Sequence, residues 1–160
     1  MPIPQSTFGQ YQPLGYTGLI YDSGFGDTMS YLAEGTIPFG AAVKLGTNKE
    51  RQVLAVGTGA GQAALAVGIA AASMFAEQVY PSLGAVSAYS ATDSVSVFKR
   101  GRIWMMTDDA VVAGAVANLK LSSGLVTDEA VAAGIEAFTQ FRATFITGTT
   151  ASGLAVVEID

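Results

Sequence analysis

Few residues in this chain have the type and spacing to do chemistry. Gly59, Gly61 and Ala64 follow the apolar run Val53–Val56 and match G-x-G-x-x-A. In that loop small residues let a helix N-terminus approach a pyrophosphate. Glu77 stands near the distance of a ribose-binding acid. The context argues against nucleotide binding. No βα repetition precedes Val53, no second βαβ unit follows, and Gly/Ala-rich sequence produces the pattern by chance. A Walker A motif is absent, so the expected reading is a loop between two strands. Asp108 and Asp109 are adjacent, and on a strand they would point to opposite faces. Glu77 and Asp93 are isolated, and no D-x-[DN]-x-[DN]-G calcium loop occurs. Lys99, Arg100 and Arg102 form the one basic cluster. They either meet an acidic partner, or pair locally with Asp108 and Asp109, or cap a solvated hairpin end.

Composition narrows the field further. The 160 residues include no His and no Cys, which removes imidazole bases, Cys nucleophiles, Ser-His-Asp triads, zinc fingers and disulfides. No catalytic residue, cofactor or metal ligand is expected, and the chain reads as a non-enzyme. With 13 acidic and 8 basic side chains the net charge is −5, the wrong sign for a phosphate-binding stripe. Charged residues are only 13%, about half of the ~25% usual in a globular domain. The chain is instead rich in small residues, with 19 glycines beside 26 alanines. Such a surface is expected to be buried against partners or to enter a membrane. From Gln52 to Ala76 there is no charge, long enough to span a bilayer. Its glycines at 57, 59 and 61 would break a helix at the centre, and a Lys/Arg cluster on one side to set topology and N-terminal aromatic anchors are missing. Partner burial is the expectation.

The elements that must position these residues are short. Residues 1–18, with Pro2, Pro4 and Pro13, form an extended arm carrying Phe8, Tyr11 and Tyr16. That arm either docks on a neighbour or frays. Residues 19–160 read as a single β-rich domain. Strands are expected over Gly18–Asp22, Thr28–Ala33, Ile37–Leu45 and Val53–Val56. Leu65–Ala70 reads as a strand, with a helix over Gln62–Phe75 competing. Asp93–Met106 carries the clearest alternation, interrupted by Lys99–Arg102. A short helix is expected over Thr127–Phe138, started by Thr127 with Asp128 and Glu129 in its first turn. Arg142–Ile146 and Leu154–Ile159 read as a closing hairpin. The fold class is therefore all-β, a mainly antiparallel barrel or sandwich with at most one or two short helices.

Four blocks in this order resemble the structural cement, or head decoration, proteins of tailed bacteriophages. They are Gly18-Leu19-Ile20-Tyr21-Asp22-Ser23-Gly24, Ala33-Glu34-Gly35-Thr36-Ile37-Pro38-Phe39-Gly40-Ala41-Ala42-Val43, Val95-Ser96-Val97-Phe98-Lys99-Arg100-Gly101-Arg102-Ile103-Trp104, and Ser152-Gly153-Leu154-Ala155-Val156-Val157-Glu158-Ile159. The departures are the alanine-rich Gly61–Phe75 and the stretch Thr127–Gln140. The resemblance implies a virion protein on the outer surface of the capsid that clamps neighbouring major capsid protein subunits. It also implies a small homo-oligomer, with a trimer expected over a dimer, and no nucleic-acid or membrane partner. A tail or fibre component is the alternative. The partner interface is expected at Phe8, Tyr11 and Tyr16 of the arm, at Phe39, and at Lys99, Arg100, Arg102 and Trp104.

Overall fold

Residues 15–22, 26–73 and 88–160 are described in a computed structural model of the chain. Twelve strands account for its regular structure: β1 (Asp27–Ala33), β2 (Ile37–Pro38), β3 (Ala42–Leu45), β4 (Gln52–Ala55), β5 (Ala66–Ala70), β6 (Ala88–Tyr89), β7 (Ser94–Met106), β8 (Asn118–Lys120), β9 (Val126–Thr127), β10 (Ile135–Ala137), β11 (Ala143–Phe145) and β12 (Leu154–Ile159). The all-β expectation holds.

β7 organises the molecule. Its first half pairs with β1 and β5, and its second half pairs with β12. β1 also meets β4 in parallel at Leu32 and Ala33. The ring β1-β4-β3-β5-β7 thereby closes into a barrel, which removes most of its free edges. β12 and β11 extend the sheet beyond the barrel, and β10-β8-β9 form a second, smaller sheet. The closing hairpin is present, with Phe145 opposite Val157.

Two cores share β7. Val43, Val53, Val95, Val97 and Tyr89 fill one. Phe98, Ile103, Met105, Phe145 and Val157 belong to the other. The side chains entering the second core switch from an even to an odd position between Phe98 and Ile103, which requires an inserted residue. The register against β1 supplies it: Asp27 faces Arg100 while Thr28 faces Phe98, so Lys99 is skipped as a bulge. Gly101 follows at φ +115°. The basic interruption in the alternation is therefore the joint at which one strand passes between two cores. It is no hairpin end.

The strand reading of Leu65–Ala70 holds over its competing helix, and the short helix over Thr127–Phe138 does not form. Among the described residues of Gln62–Phe75 only Ala63–Leu65 turns, as one 3-10 turn, before β5 begins. β5 must pair with both β3 and β7, and a Cβ on Gly68 would lie 2.7 Å from the Phe98 carbonyl oxygen. Helix propensity loses to that close sheet contact. Thr127–Phe138 is also not helical. Asp128 accepts the Val112 N–H at 2.9 Å instead of capping a first turn. Gly134 takes φ +88°, and Ile135–Ala137 pairs with β8.

Candidate functional site

The expected interface residues gather mainly on the second half of β7. Residues 15–22 lie along one edge of it. Trp104 N–H donates to the Leu19 carbonyl at 2.9 Å, Gly18 N–H to the Trp104 carbonyl at 2.8 Å, and Tyr21 N–H to the Arg102 carbonyl at 2.8 Å. Both polar backbone groups of Trp104 face this segment, so β12 occupies the opposite edge. Gly18–Asp22 thus adds to the sheet as expected, through the single bridge Ile20–Ile103 rather than a full strand. A Cβ on Gly15 would lie 2.5 Å from the Trp104 ring, so only glycine lets the chain lie against the indole. Tyr21 meets Trp104 edge-on at 5.9 Å. Tyr16, at 44% exposure, is left facing solvent.

The cations are separately placed. Arg102 Nε donates to Glu158 on β12 at 2.6 Å, which raises the guanidinium pKa further. Arg100 is exposed. Lys99 Nζ lies 5.8 Å from the centroid of the Tyr31 ring, within cation–π range. None of the three pairs with Asp108 or Asp109. β7 ends at Met106, and the turn beyond it brings both carboxylates to Lys120, at 2.5 and 3.1 Å. They converge because they lie in a turn, not on a strand. Lys120 holds Asp108 below the usual carboxylate range.

Phe39 is corrected from surface to core. It is 4% exposed and packs edge-on to Tyr89 at 5.0 Å. The Gly40 turn carries the chain from β2 to β3 and leaves Phe39 inside the barrel core. Phe8, Tyr11 and Glu77 lie outside the described residues.

The glycine loop is already satisfied by the chain itself. Gly61 N–H and Ala63 N–H both donate to the Glu136 carboxylate, at 2.5 and 3.0 Å. Amides that would cradle a phosphate instead fasten the barrel to β10. Among the described residues no group of three or more acidic or other ligating side chains could hold a metal, and no helix is long and apolar enough to cross a membrane.

Some surface features were not legible from the residues. Glu136 sits in the stretch read as a helix, and its reach to Gly61 spans 75 positions. β1 is exposed at Asp27, Thr28, Met29, Ser30 and Leu32, although its alternation reads as a half-buried strand. Val112 and Val131 are 68% and 61% exposed in Ala/Gly loops.

Comparison with known proteins gives these features a context. The family described as Structural cement protein (E217 gp24/Pam3 gp6) matches residues 3–160. No curated protein sequence matches the chain. Among solved structures, a chain of the capsid of Myoviridae phage XM1 has a similar fold, with a TM-score of 0.70. It is 17% identical, and the match covers 99% of this chain and 97% of that one. The family match over nearly the whole length leads to one assignment: the chain belongs to the phage structural cement protein family.

Proposed function

We propose that this virion structural protein binds the outer surface of the phage head and clamps neighbouring major capsid protein subunits, stabilising the expanded capsid. The observation that carries the reading is the aromatic and cationic strip on β7. There Tyr21 packs edge-on against Trp104, Arg102 and the exposed Arg100 lie further along the same strand, and the exposed Tyr16 belongs to the segment that meets it. Aromatic and Arg side chains are the types most often found at the centre of interfaces, while rim charges set orientation. Phe8 and Tyr11, which precede that strip in the sequence, belong to the same proposed interface. Each contact is modest. Occupying several at once makes later contacts effectively intramolecular, so many weak sites reinforce a shell. Lys99 contributes from the barrel side. The protein acts as a homo-oligomer, with a trimer suited to threefold sites, and it needs no catalytic step or cofactor.

The test is addition of purified protein to empty expanded heads. Binding to the heads with a raised rupture or melting temperature supports the reading. Arg100→Glu, on an exposed side chain, should weaken that binding without changing the protein's own melting. Undiminished binding by Arg100→Glu and by a variant lacking residues 2–14 would remove the β7 strip from the interface.

A further inference from the structure

A cavity lies where the small sheet meets the main one. Residues 114–117 run beside β11 before entering β8, with Ala117 N–H donating to the Ala143 carbonyl at 2.9 Å. Residues 138–142 carry the chain from β10 into β11. Between these two passages is a cavity of about 370 Å³, lined by Val116, Asn118, Ala137, Phe138, Phe141 and Arg142 among others. Asn118 supplies its buried polar group and is only 6% exposed. Its Nδ2 donates to the Glu129 carbonyl at 2.8 Å. That bond fixes the amide, because a carbonyl only accepts, so the nitrogen faces Glu129 and Oδ1 is turned the other way. Among the described residues Oδ1 has no hydrogen-bond partner, and no fully buried side-chain oxygen is left unpaired, so Oδ1 stays wetted. Ala137 stands directly opposite Asn118. The two side chains therefore share one face of the small sheet, and the missing bulk at Ala137 leaves room beside the amide.

The walls are aromatic and cationic. Phe138 and Phe141 stack with centroids 4.7 Å apart at 23°, and Phe141 is only half-buried. Arg142 is exposed, and among the described residues its guanidinium forms no ion pair. Thr139 Oγ1 donates to the Ala64 carbonyl at 3.1 Å, which holds this turn against the barrel. We propose that the cavity takes a phenol or indole ring, the side chain of a tyrosine or tryptophan presented by another protein. The open acceptor demands an N–H or O–H, which a carboxylate lacks, and an aliphatic group would leave Oδ1 buried and unpaired. A lysine or arginine brings a donor but is repelled by Arg142. The Phe pair favours a ring, and the guanidinium favours the face of one. Phenol and indole meet all three demands. The cavity is near the lower limit for a free ligand, and its mouth is exposed at Val116, Thr139 and Gln140. A ring carried on a larger surface is sealed there, as anchor side chains at interfaces are. Of the described rings with a donor, Tyr89 is buried, Tyr21 packs on Trp104 and Tyr31 holds Lys99. Tyr16 lies on the far edge of β7, with β12 between that strand and β11. The ring therefore comes from outside the chain. The proposal concerns this cavity alone and does not rest on the β7 strip or on head binding.

The probes are p-cresol and toluene, analogues of the tyrosine and phenylalanine side chains, titrated into the full chain and followed by NMR. p-Cresol should shift the resonances of Asn118, Phe138 and Phe141 saturably and bind about tenfold tighter than toluene, the effect of one hydrogen bond. A merely apolar cleft gives the reverse order, since toluene is the more hydrophobic of the two. Ala137→Leu, which fills the cavity, should abolish p-cresol binding. Arg142→Gln, on an exposed side chain, should weaken it about two- to fivefold with unchanged melting. Toluene binding as tightly as p-cresol would overturn the proposal, as would undiminished p-cresol binding by both variants. Binding seen only after removal of residues 2–14, or only on dilution of the protein, would make the occupant a tyrosine of this chain and overturn the assignment to another protein.

Discussion

β1 and β12 are both antiparallel neighbours of β7, one along each half of it, yet they are buried very differently. In β12, Ala155, Val156, Val157 and Ile159 are fully buried. β11 covers its outer edge at Ala143–Phe145, and its side chains join the larger core. In β1, five of the first six residues are exposed, and among the described residues the outer edge pairs with a strand only at its last two positions. The same ladder chemistry thus serves two purposes. β12 is held by the apolar area it removes from water, at roughly 25 cal/mol per Å². β1 adds little to its own core and keeps Met29 and Leu32 about half exposed. A small protein that stabilises a larger assembly needs both, a rigid half and an exposed half.

Variants can break or sharpen that contrast. The largest effect is expected at Phe145, fully buried opposite Val157. Phe145→Ala should cost about 3–5 kcal/mol in chemical denaturation, enough to unfold much of a marginal domain. Gly68→Val tests the barrel seam, because its Cβ would meet the Phe98 carbonyl oxygen and a Val97 methyl, each at 2.7 Å. About 1–3 kcal/mol should be lost as β5 and β7 are pushed apart. On β1 the same measurement should register almost nothing. Met29→Ser should stay within about 0.5 kcal/mol of the parent. A large stability loss there would make β1 a core strand and erase the contrast.

The smallest effect is that of pH. Thr47 donates its hydroxyl and backbone N–H to Glu34, and Lys120 donates to Asp108, so both carboxyls are held below their ordinary values of 4.5 and 3.8. As pH falls the unfolded chain takes up these protons first. Their stabilisation is complete above the unfolded values and is lost as pH drops through the lower, folded ones. With no histidine to titrate, melting should be flat from about pH 5.5 to pH 8 and decline below about pH 4.5. A transition near neutral pH would contradict this.

Much of the barrel was legible because its signals are local. Alternation marked β1 and β7, and the Thr/Gly/Ser turn marked the hairpin of β11 and β12. The segments with competing or misleading local signals are those decided by distant partners. Gln62–Phe75 has alanines that favour a helix, but β3 and β7 claim its backbone. Thr127–Phe138 has a good helix start, yet Asp128 serves Val112 and Glu136 serves Gly61. For the site, the Lys99–Arg102 cluster and Trp104 stood out as types. Their placement at the joint between two cores did not, because a bulge is visible only in register. Phe39 looked like an interface aromatic, and only the packing of Tyr89 shows it to be internal. The exposure of β1 was hidden for a related reason: its alternation is that of a half-buried strand, and among the described residues β4 pairs with it only at Leu32 and Ala33.

The most direct test of the central claim is a cryo-EM map of expanded heads decorated with this protein. The account predicts many copies of the β7-centred barrel on the outer surface, each touching two major capsid subunits through Tyr16, Arg100 and Trp104. Heads bare of this density, or density confined to the tail, would contradict it.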